Sequence, residues 1–127
     1  MANKYLIIYP DGSISEREDT GNEDGYRNLK TELLGTPTDY TYITHEPFII
    51  FAAIKDEGLL DGSPMQRSNL LKGLAGPVIL SFASATEEGR GFTEDELEYV
   101  TDLIQFQGWM TKEEAEAGRP EFDDEPF

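Results

Sequence analysis

A chain of 127 residues is long enough for one domain around a single core and too short for two independent ones. A net charge of -16 disfavours approach to nucleic-acid phosphates, which normally depends on cationic counterion release, and it would be repelled by anionic lipid. The 38% apolar content, with seven Phe and six Tyr, still supplies a core and excludes wholesale disorder, while the absence of Cys removes disulfides, thiolate nucleophiles and Cys-ligated zinc.

The opening MANKYLIIYP reads as a strand rather than a signal peptide, because its apolar run at 4–9 is too short. PDGS (10–13) is a tight turn, and SISERE returns from it as an edge strand with charged faces. From Asn22 to Leu34, Tyr26, Leu29 and Leu33 fall on one helical face, and Gly35 stands at the stop position. TDYTYIT (38–44) alternates as a strand does. PFIIFAAIK (47–55) is a continuous apolar run, expected to be fully buried and to form the centre of the core, at roughly 1.5–3 kcal/mol per large side chain.

Residues 56–71 read as a long connection with one helical turn after Pro64; Gln66, Arg67 and Asn69 form its polar patch. AGPVILSFASA (75–85) is a second buried strand, and TEEGRG (86–91) an acidic loop. Thr93 and Glu96 then stand at capping-box spacing ahead of Leu97, Val100, Leu103 and Ile104, which share one helical face. Thr111 and Glu114 repeat the box and predict a short helix ending at Gly118. The expected fold is α+β: a mixed or mostly antiparallel sheet of about four to five strands with two amphipathic helices, as one domain over 1–108, followed by an acidic C-terminal extension over 109–127 with an extended tail from Arg119.

The acid is unevenly placed. Residues 1–86 carry twelve Asp/Glu against seven Lys/Arg, whereas residues 87–127 carry fourteen against three. Glu94, Glu98 and Asp102 recur every fourth residue and so project from one side of the second helix about 6 Å apart, with Glu87 and Glu88 just before it. Two steps along a DNA strand advance about 6.8 Å, so such a row can imitate phosphates for a protein with a basic groove. A solvated helix face is the ordinary alternative. Arg90 is the only basic residue between 86 and 110, and unopposed charge costs stability through self-repulsion, which favours a role for the row.

Little points to catalysis. The single histidine, His45, has no recognisable Ser or Cys partner, the paired acids lack a calcium-loop pattern, and GRG (89–91) lacks the spacing of a phosphate loop. Neither cofactor nor metal is expected, and an enzyme would have to draw on Gln66, Arg67, Asn69 and His45 around a pocket.

Two resemblances add to this reading. EFDDEPF resembles the tip of bacterial single-stranded-DNA-binding proteins, where an acidic run closes with Pro-Phe and docks on repair and replication enzymes. That resemblance implies Phe127 as anchor with Pro126 before it, Asp123 and Asp124 as rim charges and Phe122 as a secondary contact; Glu125 departs from the aliphatic residue usual there. The body, through YLIIYPDG, LKTELLG, EGLLDGSPMQR, LAGPVILSFA and GFTEDELE, resembles domain-of-unknown-function family thirty-eight-forty-six, which implies an α+β body and a phage or mobile-element setting. The expectation is a non-enzymatic cytoplasmic protein that binds and inhibits or redirects a host DNA-processing or defence protein. The alternative is a passive assembly or regulatory module whose acid serves solubility.

Overall fold

The computed structural model describes residues 3–21, 23–35, 38–45, 48–55, 61–83 and 88–118, with backbone alone at 23, 44, 45, 48, 88 and 89. Strands β1 (Lys4–Ile8) and β2 (Ile14–Glu18) form a hairpin across the PDGS turn, and β3 (Thr38–His45) and β4 (Phe48–Lys55) form another. β5 (Val78–Ala83) lies between the two, giving the order β2-β1-β5-β4-β3, and a short strand β6 (Glu88–Arg90) also pairs with β5. Every pairing is antiparallel, and three helices complete a mixed α+β fold: α1 (Glu23–Leu34), α2 (Glu94–Gln107) and α3 (Lys112–Ala117).

Strand alternation sorts the core into two layers. Leu6, Ile8, Ile50, Ala52, Val78 and Leu80 pack with Phe92 and with Val100, Leu103 and Ile104 of α2. Their neighbours Tyr5, Ile7, Ala53 and Ile79 face the other way, onto Leu29 and Leu34 of α1. The sheet is thus covered on both faces, which explains why β1 and β5 read as continuous apolar runs instead of alternating ones.

Two expectations change. β4 is buried at Ile50, Phe51, Ala52 and Ala53, but Ile49 is exposed, and the middle of the strand order is β5, with β4 between it and β3. An apolar run reports burial on both faces; it does not report which strands flank it. Residues 88–90, expected within an acidic loop, are a strand: Arg90 pairs with Phe82 and Glu88 with Ala83 across a register shift. Phe92, only 1% exposed, anchors this stretch by exchanging backbone hydrogen bonds with Lys4 at 2.9 and 2.7 Å. Gly91 is required there. A Cβ on it would meet the Asp19 Cβ at 2.7 Å and the Lys4 nitrogen at 3.0 Å, while its own N–H donates to Asp19 Oδ2 at 2.8 Å.

The helix signals read from the sequence have their structural counterparts. Gly35, at φ +71°, ends α1 with its N–H on the Thr31 carbonyl; Gly108, not singled out as a stop from the sequence, ends α2 at φ +83° with its N–H on the Ile104 carbonyl. Both capping boxes form, Thr93 with Glu96 and Thr111 with Glu114. The long connection carries its helical turn at Asn69–Leu71, in 3-10 form. Residues 109–118, grouped by sequence with the acidic extension, lie against the body: Trp109 bridges Ser68 and packs on Gly12, and Ala115 is buried with Met65 and Ala75.

Candidate functional site

α2 is held by its N-terminus. The Thr93 hydroxyl accepts from the Glu96 amide at 3.4 Å, and Glu96 Oε1 accepts from the Thr93 amide at 2.9 Å. Arg90 donates to both oxygens of the same carboxylate, at 3.0 and 3.2 Å, with its guanidinium 4.1 Å from the Phe82 ring centre. Burial raises the Glu96 pKa, but the Arg90 hydrogen bond and the Thr93 amide together outweigh it, and the net shift is downward.

The consequence lies on the opposite side of the helix. Arg90 is directed to Glu96 and the sheet, so the basic residue closest in sequence does not serve the outward row. Glu94, Asp95, Glu98 and Asp102 are all exposed. Among the described residues, no Lys or Arg nitrogen lies within ion-pairing distance of their carboxylates, whereas Glu16, Asp24, Glu32, Asp61 and Glu96 each have one. Helix electrostatics divides the acids further. Glu94, Asp95 and Glu96 occupy the first turn, where the macrodipole favours negative charge. Glu98 and Asp102 lie beyond it and gain nothing from the dipole.

The next step of the same i+4 row is Phe106, at 87% exposure the most exposed large apolar side chain among the described residues. Sequence reading missed it. The signal was present in the periodicity: Val100, Leu103 and Ile104 define the buried stripe, and Phe106 falls outside it. Of the other residues singled out by sequence, Glu88 is placed by its backbone in β6, facing Ala83. Glu87, Phe122, Asp123, Asp124, Pro126 and Phe127 lie outside the described residues.

The polar patch of the long connection has a structural assignment. Gln66 is fully buried and its amide donates to the carbonyls of Ile8 at 2.9 Å and Gly76 at 2.6 Å. Arg67 Nε donates to the Met110 carbonyl and Asn69 Nδ2 to that of Gln107. These side chains tie the loop to the end of β1 and to the end of α2, and a buried amide bound in this way is costly to remove. His45 is placed on β3 by its backbone.

A cleft of about 530 Å³ opens between the β1–β2 turn, the 64–67 segment and α3. Tyr9, Pro10, Pro64 and Met65 supply apolar walls, and Arg67 and Lys112 supply cations. Two carboxylates also line it, matching the two cations in number. Asp11 Oδ1 accepts from the Ser13 hydroxyl and amide, which hold its pKa below the usual carboxylate range, and Glu116 Oε1 accepts from the Met65 amide. The Arg67 guanidinium, which donates to the Asp11 carbonyl at 3.5 Å, also helps to lower the Asp11 pKa. Among the described residues no group of three His, Asp or Glu side chains converges as a metal site, and no helix is long and apolar enough to cross a membrane.

Comparison of the chain with protein-family models, curated proteins and solved structures returns no match.

Proposed function

We propose that this is a non-enzymatic acidic protein that binds a basic DNA-processing or defence protein and inhibits or redirects it. The outward row of α2 is read by the partner in place of phosphates. The observation that carries the proposal is Glu98 and Asp102, which are exposed, have no cation within ion-pairing distance among the described residues and lie beyond the turn where a helix favours acid. Charge that stabilises nothing in its own fold is available to a partner. Glu94 extends the row at its start, and Phe106 adds an apolar contact at its end. The segment ending in Pro126-Phe127 acts as a second contact, with its aromatic ring in an apolar pocket and Asp123 and Asp124 against basic side chains at the rim.

The test compares the intact chain with a Glu94→Gln/Glu98→Gln/Asp102→Asn variant and a Phe127 deletion in capture from bacterial lysate. The row variant is expected to lose a basic partner that the intact chain retains, and that capture weakens as ionic strength rises. Recovery of the same proteins by all three, or capture indifferent to salt, overturns the proposal.

A further inference from the structure

We infer that the long connection between β4 and β5 encloses a binding site for one water molecule, held between the side-chain carbonyl of Gln66 and the hydroxyl of Ser68. The inference goes beyond the proposed function and does not depend on it.

It starts from two orphaned oxygens. Gln66 and Ser68 are both 0% exposed, and among the described residues neither Gln66 Oε1 nor Ser68 Oγ has a hydrogen-bond partner. Buried polar groups are nearly always paired, with protein or with ordered water, so two orphans two residues apart point to a shared ligand. The Gln66 amide is oriented by its nitrogen, which donates to the carbonyls of Ile8 at 2.9 Å and Gly76 at 2.6 Å, so Oε1 is the end left over. Ser68 stands at the N-cap of the 3-10 turn, where a serine hydroxyl ordinarily accepts from a backbone amide, yet it makes no capping bond and is buried instead.

The backbone sets both side chains on one side. Gln66 N–H donates to the Leu74 carbonyl at 2.8 Å, and on the other flank Met110 N–H donates to the Arg67 carbonyl at 2.7 Å and Asn69 N–H to that of Gly108 at 3.0 Å. Met65 and Arg67 line the cleft while Gln66 and Ser68 are enclosed, which is the alternation of an extended chain. Residues i and i+2 of such a chain stand about 6.8 Å apart, and one water with a hydrogen bond of about 2.8 Å on either side reaches up to about 5.6 Å between oxygens. The donors and acceptors also match. The Ser68 hydroxyl donates to the water, and the water donates to Gln66 Oε1, which can only accept. Two neutral oxygens are far fewer than the roughly six that a hard cation requires, so the chemistry selects water over a metal ion. So placed, the water supports from behind the stretch that carries Met65 and Arg67 to the cleft.

Magnetic relaxation of the full chain in oxygen-17-enriched water tests this directly, because it registers long-lived internal water and is blind to exchange of the Ser68 hydroxyl proton. The intact chain is expected to show such a water, and a water-selective NOE should reach the Gln66 side-chain amide protons. Ser68→Ala should lose one long-lived water and that NOE, with the amide shifts of β5 and α2 in place to establish that the fold is intact. Ser81→Ala removes a buried hydroxyl that already donates to the Phe51 carbonyl, and it should leave both signals unchanged. An intact chain without long-lived water or without the Gln66 contact would overturn the inference. So would a signal that survives Ser68→Ala, or one that Ser81→Ala abolishes equally.

Discussion

Two helices cover the two faces of one sheet, and they carry charge differently. α1 contains Asp24 paired with Arg27, Glu32 paired with Arg17 of β2, and Lys30 bridging Tyr26 and Tyr40, so most of its polar face is neutralised within the fold. α2 contains five acids and no base, and among the described residues only Glu96 has a cation within ion-pairing distance. Both helices bury an apolar stripe of similar kind, Leu29 and Leu34 on one and Val100, Leu103 and Ile104 on the other. Packing against the sheet therefore does not account for the acid on α2. Its first-turn acids have a structural explanation, and Glu98 and Asp102 do not.

Breaking either stripe should give the largest effect. Ile104→Ala on α2 and Leu34→Ala on α1 remove fully buried side chains and are each expected to cost about 2–5 kcal/mol in urea unfolding. A much smaller cost for one of them would mean that its helix is peripheral to the cooperative unit. Gly91→Ala sharpens the α2 side, since its Cβ would enter the Asp19 and Lys4 contacts; about 1–3 kcal/mol is expected, together with loss of amide protection at Phe92 in hydrogen exchange. Thr93→Ala removes the cap of α2 and should cost about 0.5–2 kcal/mol.

Acid should separate the two kinds of carboxylate. Glu96 has a lowered pKa in the folded state, so its contribution is fully present above the ordinary Glu value of about 4.3 and is lost as pH falls through the lowered one. Arg90→Ala should remove that component of the acid dependence, read as a smaller drop in urea midpoint between pH ~5 and pH ~3. The smallest stability effect is expected at the unpaired acids. Glu98→Gln/Asp102→Asn should leave stability unchanged or raise it by a few tenths of a kcal/mol through relieved repulsion. A loss of more than about 1 kcal/mol there would give the row a structural role and remove the basis of the functional proposal.

Much of this fold is legible along the chain. The capping boxes at Thr93 and Thr111, the stops at Gly35 and Gly118 and the turn at PDGS lie within a few residues of what they organise. So does the outward row on α2, because helix geometry alone places Glu94, Glu98 and Asp102 on one side. The isolation of that row is another matter: it depends on the direction taken by Arg90, and that direction depends on β6 pairing with β5. The cleft was equally invisible, since its walls come from the 9–13, 64–67 and 112–116 stretches.

The sequence by itself determined the elements other than β6, the two apolar helix stripes and the excess of acid, because each follows from side-chain identity and short-range spacing. Only the tertiary structure decided that β5 occupies the middle of the sheet, that residues 88–90 join it, and that Gln66 and Arg67 tie the long connection to carbonyls 58 and 43 residues away. Pairing between distant segments is set by which buried polar groups and apolar surfaces can all be satisfied together, and no local stretch carries that information.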